Sequence, residues 1–169
     1  WTNWSRGKVL NHGDHLWQGA HDSYTPVTHK RTVMALENDR WLVVDILQDT
    51  RPHHYALYWL LNDFLYEQQE DLILLSMDSM KYKVQVGLVN VKPDFSVVRG
   101  DPNSIRGWRS RYYGNKEPAI SMILEANQPR VCFWTFFGLE SDNVEWVENK
   151  LEIGLDGTKT SVDLQSPSL

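Results

Sequence analysis

Hydrophobic and polar residues alternate with a period of two along most of the chain, in short runs broken by Gly, Pro, Asn and Asp. Successive side chains of a strand point to opposite faces, so this spacing predicts strands with one face in a core. Helical spacing is scarce. The pattern predicts strands over residues 27–36, 40–47, 53–61, 71–77, 81–91, 119–125, 130–137, 150–155 and 158–164. So many strands with short breaks predict an all-β fold, an antiparallel β-sandwich in a single domain. Residues 20–33, AHDSYTPVTHKRTV, also alternate like a surface strand, yet they gather His21, Asp22, Tyr24, His29 and Arg31.

Two turns have specific chemistry. Asn38-Asp39 falls between the first two predicted strands and Asp156-Gly157 between the last two, and these residues suit the positive φ angles of tight hairpins. Residues 53–61, HHYALYWLL, are apolar or aromatic on both faces, which predicts a central strand covered on both sides. In 81–88 the residues Tyr82, Val84, Val86 and Leu88 share one face, leaving Lys81, Lys83 and Gln85 on an expected wet face. The last stretch, VDLQSPSL, is expected to fray. No internal repeat, low-complexity segment or linker interrupts the chain.

Composition narrows the function classes. A chain of 169 residues suits one domain with its own core. Eight Trp and seven Tyr are an excess, and aromatics not used in a core offer flat apolar faces to flat ligands such as sugar rings. A net charge of -5 gives no general attraction to nucleic acid or anionic lipid, so any polyanion must be met locally. No apolar run approaches the roughly 20 residues of a membrane-spanning helix. Cys132 is the single cysteine, which excludes an internal disulfide, and its setting in RVCFWTFF reads as buried packing. The chain opens at Trp1 without a signal-like stretch, and is expected to be a piece of a longer protein.

Two constellations could carry chemistry. His12, Asp14, His15 and His21 are zinc-ligand types, but their spacing is loose and no Cys pair or helix holds them, so they are read as exposed hydrogen-bonding groups. No metal is expected here. His53 and His54 point to opposite faces of a strand and are each expected to find a cross-strand partner. The second constellation is the loop at 99–118, RGDPNSIRGWRSRYYGNKEP. Arg106, Arg109 and Arg111 stand there with Trp108, Tyr112 and Tyr113. Guanidinium forks match carboxylate and sulfate oxygens, and the rings can stack on a sugar, so these six residues are the candidate substrate contacts. The bland alternative is that the arginines tie the loop down on backbone carbonyls while Trp108 plugs the sandwich edge. Nucleophile elbows, phosphate-cradling loops and dinucleotide fingerprints are absent, and the carboxylate pairs Glu70-Asp71 and Glu145-Glu148 read as solvated surface.

The ordered set GAHDSYTP, VTHKRTVMALENDRWLVVDIL, HHYALYWLL and GWRSRYYGNKEPA resembles the C-terminal β-sheet region of heparinase II/III-like polysaccharide lyases. The matching positions are His21, Asp22 and Tyr24, then His29 and Arg31, Trp41 and Asp45, Tyr55 and Trp59, and lastly Ser110, Tyr113 and Gly114. Ser23 departs from the glycine usual in the first element. The likeness runs from about residue 17 to 137.

What the resemblance implies is β-elimination on acidic polysaccharides rich in uronic acid, heparan- or alginate-like. The substrate carboxylate is neutralised, a base removes the C5 proton, and a Tyr protonates the departing oxygen. It further implies a partner, an N-terminal α/α-toroid of the same protein, which is not in this chain, and a periplasmic or secreted location. A zinc or calcium ion in the complete protein belongs to the same implication, with no cofactor in this piece. The family's catalytic histidine element is not in this sequence, so no catalytic role is carried over and the piece alone is expected to be inert. His21, Asp22, Tyr24, His29 and Arg31 are then read as a polar network at a sheet end. The competing readings are a non-catalytic carbohydrate-binding module and a purely supporting β-sandwich.

Overall fold

The computed structural model describes residues 6–164, and among these there is no helix. Its frame is set by two long strands, β4 (Arg40–Leu61) and β11 (Ile120–Leu139). They pair antiparallel from Ile120 opposite Leu61 to Phe137 opposite Trp41. The register jumps where Gln128 faces His53 but Arg130 faces Gln48, so residues 49–52 bulge against Pro129 alone. Pro52 and Pro129 donate no ladder hydrogen bond, which makes this the natural place for both strands to bend.

The bend sends the two halves of each long strand into different layers. On one side of it lies the central sheet, built with β1 (Lys8–His12), β2 (Leu16–Tyr24), β3 (Val27–Leu36), β5 (Leu65–Gln68), β6 (Leu72–Met77) and β7 (Met80–Leu88). Its order is β1-β2-β3-β4-β11-β7-β6-β5. Beyond the bend, residues 53–61 of β4 and 120–125 of β11 continue with β8 (Asp94–Arg99) as a three-stranded flap. The flap lies on one face of the central sheet. Tyr55, Leu57, Ile120, Met122 and Leu124 share a buried cluster with Ile73, Val84, Val86 and Phe133. Trp59 Nε1 also crosses between the layers to Thr135 Oγ1, 2.9 Å away. Two short strands, β9 (Trp108–Arg109) and β10 (Glu117–Pro118), close the base of the loop that follows β8.

A third layer covers the opposite face. β12 (Asn143–Val147), β13 (Lys150–Leu155) and β14 (Thr158–Val162) form a separate meander. Its Val144, Leu151, Ile153 and Val162 pack on Met34, Leu42, Val44, Cys132 and Phe136 of the central sheet. Arg40 fastens the layers. Its fully buried guanidinium reaches Asp142 Oδ2 and Oδ1 at 2.8 and 2.9 Å and Asp156 Oδ1 at 2.9 Å.

The fold is the all-β, antiparallel, sandwich-like domain expected, with several local differences. The predicted strands 40–47 and 53–61 are one strand, as are 119–125 and 130–137, because bulges bend a ladder without ending it. Residues 53–61 are not covered on both faces: Tyr58 and Leu60 are exposed, since only the inner face of the flap meets the core. Of the expected wet face of β7, Lys81 stays partly exposed and pairs with Glu67, but the rest lies under the third layer, where Lys83 is buried against the Asp142 carbonyl and Gln85 donates to Asp71 and Val144. Val162 and Leu164 of the supposed fraying end are fully buried, while 165–169 fall outside the described residues. Residues 20–33 are a hairpin, not one strand, turning at a cis Thr25-Pro26 bond. Both tight turns form as expected, with positive φ at Asn38 and Asp39 and at Asp156 and Gly157.

Candidate functional site

The loop from 100 to 118 stands on the outer face of the flap. Its base is narrow: the Gly107 carbonyl accepts from both Gly100 N, at 2.9 Å, and Ala119 N, at 2.8 Å. Gly107 has φ +78, and a Cβ there would lie 2.7 Å from Gly100 N, so a side chain is excluded twice over. Arg106 turns inward. Its Nη1 donates to Ser96 Oγ at 3.0 Å, and its Nη2 to the Ser96 and Ser121 carbonyls at 3.2 and 3.1 Å. Trp108 Nε1 donates to the Asp101 and Ser104 carbonyls, each at 3.2 Å, while Lys116 lies 3.9 Å from its ring centroid. Arg109 pairs with Glu117 at 3.3 Å and bonds Asn62.

These three side chains therefore brace the loop. The remaining three candidates stand at its tip: Arg111, 58% exposed and 3.1 Å from Glu117 by one edge, and the open rings of Tyr112 and Tyr113. The structure thus splits the six substrate-contact candidates into an inner group that shapes the loop and an outer group that faces solvent.

The second cluster lies on the flap-side face of the central sheet, where β3 runs between β2 and β4. Register places His21 opposite His29, and Arg31 opposite Asp45. Asp45 is buried and accepts from His29 Nε2 at 2.6 Å, Arg31 Nε at 2.7 Å and Arg31 Nη2 at 3.0 Å. His29 Nδ1 lies 2.9 Å from His21 Nε2, and His21 Nδ1 accepts from Ser23 N. One assignment satisfies every partner: His29 donates to the carboxylate and accepts from a neutral His21. Burial, then the neighbouring His29, push the His21 imidazole below its ordinary value, with Arg31 adding and Asp22 opposing. Tyr24 packs its ring edgewise on His21 at 5.0 Å, and the Arg31 guanidinium lies 5.6 Å from the Trp59 ring centroid. Asp22 is exposed and holds the turn through its carbonyl, which accepts from Thr25.

The sequence marks His21, Tyr24, His29 and Arg31 as a polar network, and marks Asp45 and Trp59 only as separate motif positions, not as the anchor and the ring that this cluster gains from them. The signal for Asp45 was available, since it sits opposite Arg31 in a two-strand hairpin fixed by Asn38-Asp39. Trp59 arrives only because β4 bends.

The loose histidines do not converge. His12 and His15 are exposed at one end of the β1–β2 hairpin, while His21 is near the other. Among the described residues no three His, Cys, Asp or Glu side chains are grouped to hold a metal ion. His54 pairs across the ladder with Glu125 at 3.1 Å, as expected, whereas His53 finds Asp49 of its own strand at 2.5 Å, a contact the bulge creates. No helix is long and apolar enough to cross a membrane among the described residues.

The described residues thus form layered antiparallel sheets that carry a braced basic and aromatic loop and, on an open sheet face, a His–Asp–Arg cluster. The family model for the heparinase II/III-like C-terminal region matches residues 1–147, and the chain belongs to that family. Solved structures agree in fold. Heparinase III, the BT4657 gene product, superposes with a TM-score of 0.71 at 16% identity, covering 94% of this chain and 27% of that one. A second heparinase III structure gives 0.72 at 12% identity over 92% and 27%. The heparan sulfate lyase HepC from Pedobacter heparinus gives 0.67 at 15% identity over 98% and 29%. The chain therefore spans less than a third of the length of these neighbours. None of the curated proteins matches the chain significantly in sequence.

Proposed function

We propose that this chain is the non-catalytic sheet domain of a larger polysaccharide lyase that cleaves uronic-acid-containing polymers, heparan- or alginate-like, by β-elimination. The observation that carries the reading is the family match over residues 1–147, supported by neighbours that are heparinases and a heparan sulfate lyase. In such a lyase the carboxylate is neutralised, a base takes the C5 proton and an acid protonates the leaving oxygen. The described residues of this chain supply no assembled set for those steps. An N-terminal α/α-toroid would carry them, in a periplasmic or secreted protein that meets extracellular polymer. A zinc or calcium ion in the whole protein belongs to the same reading.

The loop contributes by contact. Arg106, Trp108 and Arg109 fix its shape, and Arg111, Tyr112 and Tyr113 offer a cation and two rings to the glycan. One observation favours a second, purely supporting reading: most of the loop's cations are already paired internally. Titration of the chain with heparin, alginate and a neutral glucan separates the two. The account expects binding to the acidic polymers only, weakened about tenfold in Tyr112→Ala/Tyr113→Ala, the equivalent of about 1.4 kcal/mol. Equal binding by the double variant would leave the loop a supporting role.

A further inference from the structure

The flap does not cover the whole of the central sheet. It packs over the half built from β11, β7 and β6, leaving the face of β1, β2 and β3 open. Trp17, 43% exposed, lies down on that open face. A Cβ placed at Gly19 would meet its Cη2 at 2.5 Å and its Cζ2 at 2.8 Å, so the six-membered ring occupies the space a side chain at 19 would fill. One indole face is thereby pressed on backbone and the other turned outward. A large apolar ring on an open sheet normally has a partner, and a flat ring braced from beneath matches the C–H face of a pyranose.

The surroundings point to the same class of ligand. Trp17 and Gly19 line a groove of about 500 Å³ with Lys8, Val9, His21 and Arg31. Arg31 gives Nε and Nη2 to Asp45, which fixes the guanidinium, and its Nη1 donates to no described residue. Of the two carboxylates near the histidines, Asp45 is buried and engaged, and Asp22 lies exposed at the turn between β2 and β3. Trp41, also 43% exposed, shares this face two strands away: Trp17 opposes Val33, Val33 opposes Val43, and 41 and 43 point the same way.

We propose that Trp17, held flat over Gly19, is a stacking platform for one sugar ring of an acidic glycan, whose carboxylate or sulfate is taken by Arg31 Nη1. The subsite rests on the glycan-lyase reading above but is separate from the 100–118 loop. It orients the polymer along the sheet face and takes no part in bond cleavage.

The test is titration of the chain with a uronate tetrasaccharide and a neutral cello-tetraose, followed by calorimetry and by the indole NMR signals. Binding of the acidic sugar is expected to shift the Trp17 indole resonance. Trp17→Ala should weaken binding at least tenfold, and Gly19→Val, which lifts the ring without deleting it, should weaken it similarly. Because the NMR shift is read on the unsubstituted protein, failure of a variant to fold does not remove the test. The subsite is overturned, with the lyase reading intact, if the acidic sugar binds without moving the Trp17 signal and the loss tracks Tyr112→Ala/Tyr113→Ala instead. Absence of any binding to the acidic sugar overturns the subsite too. So does protection of Trp17 from oxidation in the full-length protein without glycan, which would mean that another domain covers this face.

Discussion

Cys132 illustrates how neighbours decide what a side chain can do. It is buried in the core under the third layer, its Sγ 3.9 Å from the Leu164 carbonyl, and burial pushes its thiol up to about 12. A thiolate is the reactive form, so Cys132 should resist a thiol reagent at pH 8 until denaturant is added; rapid labelling of the native protein would contradict this placement. His21 is the opposite case, a group whose neutral form is favoured. An unfolded histidine titrates near 6.5, so below that pH the unfolded chain takes up protons more readily than the folded one. The His21 contribution to stability is accordingly complete above about 6.5 and lost as pH falls toward its depressed folded value. NMR titration of the His21 ring should show a midpoint below that of a free histidine; one at or above it would remove the neutral His21–His29 assignment.

Elements show where sequence legibility stops. Period-two alternation and the Asn38-Asp39 and Asp156-Gly157 turns located seven of the fourteen strands among the described residues, both long ones included, because side-chain direction and positive φ are local properties. The bulge at 49–52 against Pro129 is not local: it is the joint of two strands that read as four in the sequence. The bend then decides that Tyr58 faces water while Trp59 reaches Thr135 and Arg31. The wet face expected for β7 failed at Lys83 for a related reason, since the layer that covers it arrives with Asp142, 59 positions away. Arg40 was invisible as well. In sequence it is one charged residue after a turn, and in the fold it is a buried clasp whose proton Asp142 and then Asp156 hold still more firmly than usual. Arg40→Met leaves the buried Asp142 without its partner, and should lower the unfolding free energy by about 3–5 kcal/mol in denaturant titration. A loss under about 1 kcal/mol would mean the meander stays on without the clasp.

On the scale of the whole molecule, the six loop residues and the His–Arg cluster lie in different layers, one set on the outer flap and the other on the open central face. Sequence proximity linked neither of them to Asp45 or Trp17. What the sequence did carry was order, the succession of motif positions from His21 to Gly114 that the family match spans. The chain covers less than a third of the length of its structural neighbours. That share fits the role proposed above, a domain that positions polymer for chemistry done by the rest of the protein. The direct measurement is the absorbance of unsaturated uronate product, with heparan sulfate and alginate as substrates, for the full-length protein and for this chain alone. The account predicts steady product from one of these polymers with the full-length protein and none with the isolated chain. Product released by the isolated chain, or a full-length protein inert on every uronate polymer, would contradict it.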